Sequence, residues 1–199
     1  MRFALLGAVA GAIMLVLFLL HDNKYLDYAP NYQSTVAHYD FDNLMDATTK
    51  LEDISTMERV HRWVAGFHMV AERPLTGFGP GSFYPSYMDF TLNKFKTYVS
   101  HNPEKSGMHN NYLTVFVEQG IVGFLIMILM MVIPLVYGER YYHLSSDPHD
   151  KALIMAATIS IALIAAVLII NELLEADKVG PLFFLSLAIL VSKRPKGLS

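Results

Sequence analysis

An all-α integral membrane protein, with about four transmembrane helices and one large, partly helical loop between the first and second, is the architecture this sequence predicts. Two observations carry it. Hydrophobic residues make up 53% of the chain and charged residues only 17%, against roughly a quarter charged in soluble domains. The apolar residues also collect in four runs, at 3–20, 120–136, 152–170 and 179–191. A helix that crosses a bilayer needs about 20 apolar residues, because the hydrocarbon core is about 30 Å thick.

The first span is read at residues 1–20. Arg2 is its only preceding basic residue and no small-x-small site follows Leu20, so a retained anchor is preferred to a cleavable signal peptide. Residues 21–111 form the large loop. The second span, 112–137, continues its helical pattern back past Gln119 and Glu118 to Tyr112. One long helix is therefore expected to protrude from the bilayer, with Pro134 kinking its far end. The third span occupies 152–170. The fourth, 179–192, is short and is extended through Gly180 and Pro181; a buried core helix of a soluble protein competes for that segment. Residues 193–199 form a tail in which Lys193, Arg194 and Lys196 follow the last span. With Arg2, they place both termini in the cytoplasm by the positive-inside rule and the large loop outside. The short loop with Glu172, Glu175, Asp177 and Lys178 is net negative and suits the same outer side.

Several classes drop out. A net charge of −3 with scattered basic residues gives no nucleic-acid surface. The absence of cysteine excludes disulfides, thiolate zinc sites and a cysteine nucleophile. No HExxH motif is present, and His101 with His109 makes a weak ligand set, so neither metal nor cofactor is expected.

Within the loop, 21–54 is polar and acidic without a strong period. Ser55-Thr56-Met57-Glu58 is a capping-box pattern that opens a helix over about 56–72, and Pro74 closes it. Met57, Val60, Val64, Phe67 and Ala71 recur at helical spacing and predict a packing stripe. Arg59, Arg62, Gly66 and Arg73 fall on another face. A solvated face is the ordinary reading of such a stripe; an anion-binding face is the functional one, favoured by the helix dipole near Arg59. The glycine-rich stretch 74–83 lacks the GK[ST] ending of a phosphate loop and any dinucleotide-binding context. It is read as a tight turn re-entering the membrane surface.

The second constellation is Met108-His109-Asn110-Asn111-Tyr112. A helix begun near Asn110 puts His109, Leu113, Phe116, Gly120, Gly123 and Met127 along one stripe. Gly120 and Gly123 would let another helix or a lipid chain approach below the histidine. A His-Asn capping pair at the membrane interface is the competing reading.

Arg59 four positions before Trp63, then Arg73-Pro74-Leu75-Thr76-Gly77-Phe78-Gly79, then His109-Asn110 followed after nine residues by Gly120-Ile121-Val122-Gly123, resembles the O-antigen ligase and O-antigen polymerase family. The resemblance is strong over 55–136 and elsewhere rests on hydropathy alone. It implies the C-terminal part of a GT-C-type glycosyltransferase: inverting, metal-independent, in the bacterial inner membrane, with its active side facing the periplasm. Such enzymes pass a glycan from an undecaprenyl diphosphate carrier to a hydroxyl on lipid A core, a polysaccharide or a protein. By similarity His109 matches the family's essential histidine and Arg59 an arginine that holds the diphosphate. Arg62 joins it by its place on the same stripe, with Asn110, Gly120 and Gly123 in support. Family members carry further spans upstream, including another functional arginine, so an upstream membrane fragment is an expected partner and activity of this chain alone is not expected.

The chemistry fits these residue types. Arginine stays charged and bonds phosphate oxygens in pairs, which suits a diphosphate leaving group. Histidine, with an ordinary pKa near 6.5, suits removal of the acceptor proton, though as an imidazolium it could bind phosphate instead. A membrane scaffold or sensor whose outer loop binds a ligand accounts equally for the spans, but gives no reason for the spacing from His109 to Gly123.

Overall fold

The computed structural model describes Met14, residues 54–93, Lys96 and residues 100–195, and among these every regular element is helical. The first span, apart from Met14, the acidic loop up to residue 53 and the tail from residue 196 lie outside the described residues. Five α-helices follow in order: α1 (Ile54–Glu72), α2 (Phe83–Ser86), α3 (Asn111–Leu144), α4 (Pro148–Val167) and α5 (Val179–Ser192), with a 3-10 turn at Tyr87–Phe90 after α2.

The chain divides into two compact units. The first takes the chain through His61 together with Leu92–His101. There Ser100 Oγ donates to Glu58 Oε1 at 2.7 Å, and both residues are buried. A buried carboxylate needs such a donor, because burying it unbonded would cost several kcal/mol, roughly.

The second unit runs over Arg62–Thr91 and Asn102–Ser199. Two of its helices, α3 and α4, are long and apolar enough to cross a membrane, while α5 is shorter. They pack through one core of Met127, Met131, Tyr141, Ile154, Ala157, Ile161, Ile164, Leu168, Phe183 and Leu190. Many of their remaining apolar side chains are exposed, among them Val122, Ile126, Leu129, Leu163 and Leu185. That is the pattern of helices whose outward faces meet lipid or further helices. Gly138 lets α3 and α4 approach, since a Cβ there would strike the side chain of Thr158.

α1 ends at Glu72, before Pro74, whose ring removes a donor and crowds the preceding residue. Its packed face differs from the apolar stripe read from sequence. Met57 and Val64 are buried, but Phe67 and Ala71 are exposed; the buried set is Met57, Glu58, His61, Arg62, Val64, Ala65, Gly66 and Met69. The face has turned toward Ala65 and Met69 because these pack with Met108, Leu113, Val117, Phe83 and Tyr87 in a second core. Gly66 permits it: a Cβ there would come 2.7 Å from Met108 Sδ and 3.2 Å from Leu113 Cδ2. Arg62 is therefore buried, and the solvated face that was the ordinary reading of its stripe does not hold for it.

α3 is not one continuous helix, and it carries Pro134 inside its far half. Its non-helical backbone falls at Gly120, with φ 66° and ψ −165°. The loop after α1 docks into this break. Phe78 N donates to Val117 O at 2.9 Å, Gly79 N to Glu118 O at 2.8 Å, and Ile121 N to Pro74 O at 2.8 Å. Helix ends leave carbonyl and amide groups without intrahelical partners, and the loop backbone supplies them. The glycine pair named from sequence as a landing for a helix or lipid chain is thus divided: Gly120 receives a loop, and Gly123 lies under the side chain of Gln119.

Candidate functional site

The N-terminal end of α3 is held by an unusual density of polar contacts. His109, partly buried, has φ 55°. This left-handed conformation is uncommon for a residue with a side chain and costs on the order of 1–3 kcal/mol, so it persists only where its surroundings over-determine it. They do so here. On the N-terminal side, Gly107 O accepts from Arg62 Nη1 at 3.1 Å. Met108 O accepts from Trp63 Nε1 at 2.8 Å, and Met108 N donates to Glu172 Oε1 at 2.9 Å. On the C-terminal side, the Asn110 side chain accepts from Leu113 N at 3.0 Å and caps α3. Asn111 N donates to Leu168 O at 3.0 Å, and Asn111 Oδ1 accepts from Leu174 N at 3.3 Å. Tyr112 adds a bond to Ala165 O at 2.8 Å.

Glu172 is the residue that the sequence reading passed over. The same Oε1 that accepts from Met108 N also accepts from Thr114 Oγ1, so one carboxylate bridges the positions before and after His109. Gly107 makes room for it, because a Cβ there would lie in the Glu172 carboxylate. Only a weak signal pointed to it: an acidic residue in a short loop between two apolar runs, more than sixty residues from the turn it holds.

The other named residues take different places. Arg62 is buried and spends Nη1 on the Gly107 carbonyl two residues before His109, so it joins the histidine turn as a brace. Trp63, noted in sequence only for its spacing, supplies the neighbouring brace. Asn110 is a helix cap, the ordinary role weighed for it. Arg59 is partly exposed in the early turns of α1, within the first of the two units. Gly120 and Gly123 serve the loop dock and the Gln119 contact, below the histidine along α3.

Among the described residues, Asp147, His149 and Asp150 form one group with metal-ligand potential, at the far end of α3 and α4. Its carboxylates have other work: Asp147 caps α4 by accepting from His149 N at 3.3 Å, and Asp150 pairs with Lys193 Nζ at 2.6 Å.

Comparison with curated proteins and with solved structures found no match. A family profile described as O-Antigen ligase matches residues 1–128. The match starts ahead of the motif region that carried the resemblance and so takes in the first apolar run and the acidic loop; it ends within α3. With well over half of its length matched, including His109, Gly120 and the loop between them and α1, this chain belongs to the O-antigen ligase family.

Proposed function

We propose that this chain serves glycan transfer from an undecaprenyl diphosphate carrier to a hydroxyl acceptor, at the periplasmic face of a bacterial inner membrane, in cell-surface polysaccharide assembly. The observation that carries the reading is the strained His109 turn, braced from both sides in a member of the O-antigen ligase family. A cap alone would need only Asn110. Holding a histidine in an unfavourable backbone state by Arg62, Trp63 and Glu172 is the kind of strain that accompanies function.

In the proposed step, the acceptor hydroxyl gives its proton to His109 as its oxygen bonds to the anomeric carbon from the face opposite the leaving group. The bond from that carbon to the diphosphate breaks, and undecaprenyl diphosphate departs with the electron pair. Inversion follows from that geometry. Arg59 meets the diphosphate charge through its fork, and the guanidinium of Arg62 adds charge from its buried position. Preorganised cations stabilise such a leaving group directly. The acceptor classes are lipid A core, a growing polysaccharide or a protein. α3, α4 and α5 serve as spans, with the end of α5 at the cytoplasmic face, and an upstream membrane fragment is the partner that the family resemblance implies.

The test is donor binding and single-turnover transfer in membranes that carry the chain with such a fragment, at matched expression. His109→Ala is expected to lower turnover by about 10²- to 10⁴-fold with donor binding retained. Arg59→Lys, which keeps the charge and loses the fork, is expected to weaken donor binding. Wild-type transfer by His109→Ala would return the residue to an interfacial cap.

A further inference from the structure

We propose that the loop at residues 73–79 is a membrane-interface anchor, with Leu75 among the acyl chains of the bilayer and Arg73 at the level of the lipid phosphates. Leu75 is 71% exposed. A single exposed leucine usually needs no explanation, but the depth of this one is fixed. The Pro74 carbonyl is bonded to Ile121 N at 2.8 Å, and a Cβ on Gly120 would strike the Leu75 carbonyl. Leu75 is therefore level with the point where the apolar run of α3 begins.

From that level through residue 130 the exposed side chains of α3 are Val122, Leu125, Ile126 and Leu129. The leucine thus continues the lipid-facing surface of a candidate span rather than standing alone in water. The dock cannot slide along α3, because it uses the particular carbonyls freed by the break: Val117 O for Phe78 N and Glu118 O for Gly79 N.

Arg73 stands where an interfacial cation belongs. Its guanidinium lies 4.5 Å from the Phe78 ring centroid and 3.7 Å from the half-exposed Glu72 carboxylate, and its own side chain is about half exposed. A guanidinium seated on an aromatic ring with half of its side chain still exposed keeps donors free for phosphate oxygens at a bilayer surface. Leucine below and arginine above define an interfacial orientation like that of an amphipathic anchor, which sits about 5–10 Å into the headgroup boundary. The consequence is a fixed depth for the helix break. The part of α3 before Gly120 stands above the hydrocarbon and carries the His109 turn about 14 Å above it, at 1.5 Å per residue if upright.

Depth measurement on the intact chain tests this. The absence of cysteine allows single bimane labels at Leu75→Cys, at Val122→Cys as a bilayer reference and at Glu104→Cys as a loop reference. The chain is reconstituted in phosphatidylethanolamine–phosphatidylglycerol vesicles with doxyl lipids as quenchers. Position 75 is expected to quench at acyl depth, between the phosphates and position 122; Thr76→Cys gives a second label one residue along. Arg73→Glu is expected to move the position-75 label toward water. Quenching of position 75 indistinguishable from position 104 overturns the anchor, and an unchanged depth in Arg73→Glu overturns the phosphate contact. A photo-crosslinker at position 75 that captures protein rather than lipid in intact cells also overturns it.

Discussion

The two ends of the α3–α4 pair are built differently. At the far end, where α3 turns into α4, the Asp147 cap, the Asp150–Lys193 pair and the Gly138–Thr158 contact close a short connection. These are ordinary devices, and the residues involved have ordinary backbone. At the near end, a glutamate, an arginine and a tryptophan hold Gly107 and Met108 on one side of a histidine with positive φ, and two asparagines bond to Leu113 and Leu174 on the other. Helix packing alone needs nothing of the kind, as the far end demonstrates. The difference teaches that the polar bonds at the near end hold one turn in place, and the turn is the one that presents His109.

The comparison predicts a ranking. Gly120→Ala should do most damage, because the added Cβ meets the Leu75 carbonyl and Thr76 N while φ stays at 66°. A loss of about 3 kcal/mol or more is expected in reversible unfolding from mixed micelles. Gly138→Ala at the far end meets only the Thr158 side chain, which can shift, and should cost about 1–2 kcal/mol. Equal losses would break the contrast between the ends.

Glu172→Ala comes next. It leaves Met108 N and Thr114 Oγ1 without their shared acceptor and should cost about 2–3 kcal/mol. Glu172→Gln retains an oxygen at that position and should recover most of it. If Gln behaves as Ala does, the carboxylate acts through its charge and the clasp is misread.

His109→Gly separates holding from function. Glycine adopts positive φ without penalty, so the fold should gain about 1 kcal/mol net of the greater freedom of the unfolded chain. Transfer should fall as for His109→Ala. A destabilised glycine variant would mean that the imidazole itself braces the turn. Smallest of all is Lys193→Ala: its pair with Asp150 is about a third exposed, and such pairs are worth under about 1 kcal/mol. Thermal midpoints that differ little from the parent chain would place it there.

These expectations separate what was legible from what was not. The end of α1 could be read from Pro74, the Asn110 cap from its place before an apolar run, and the tight turn at 74–83 from its glycines. The packed face of α1 could not. Periodicity tells which residues share a face, but α1 has apolar side chains on two, and Met108 and Leu113 lying over Gly66 decided which was buried. The burial of Arg62 was hidden for the same reason. The break in α3 was hidden because glycine at 120 reads equally well as a packing notch and as a positive-φ residue.

By itself the sequence determined the helical character of the described residues, the two segments at α3 and α4 long and apolar enough to span, and the motif spacing from His109 to Gly123 that carries the family resemblance. These are properties of composition and local periodicity, which follow from side-chain chemistry along a few turns of helix. Only the tertiary structure decided that Glu172 reaches back to clasp the turn before His109, that Arg62 and Trp63 brace it, and that the loop after α1 fills the break at Gly120. Each of those joins backbone groups to partners distant in the chain. A backbone amide or carbonyl is the same in every residue, so no residue type announces which partner will satisfy it until the fold brings the two within about 3 Å.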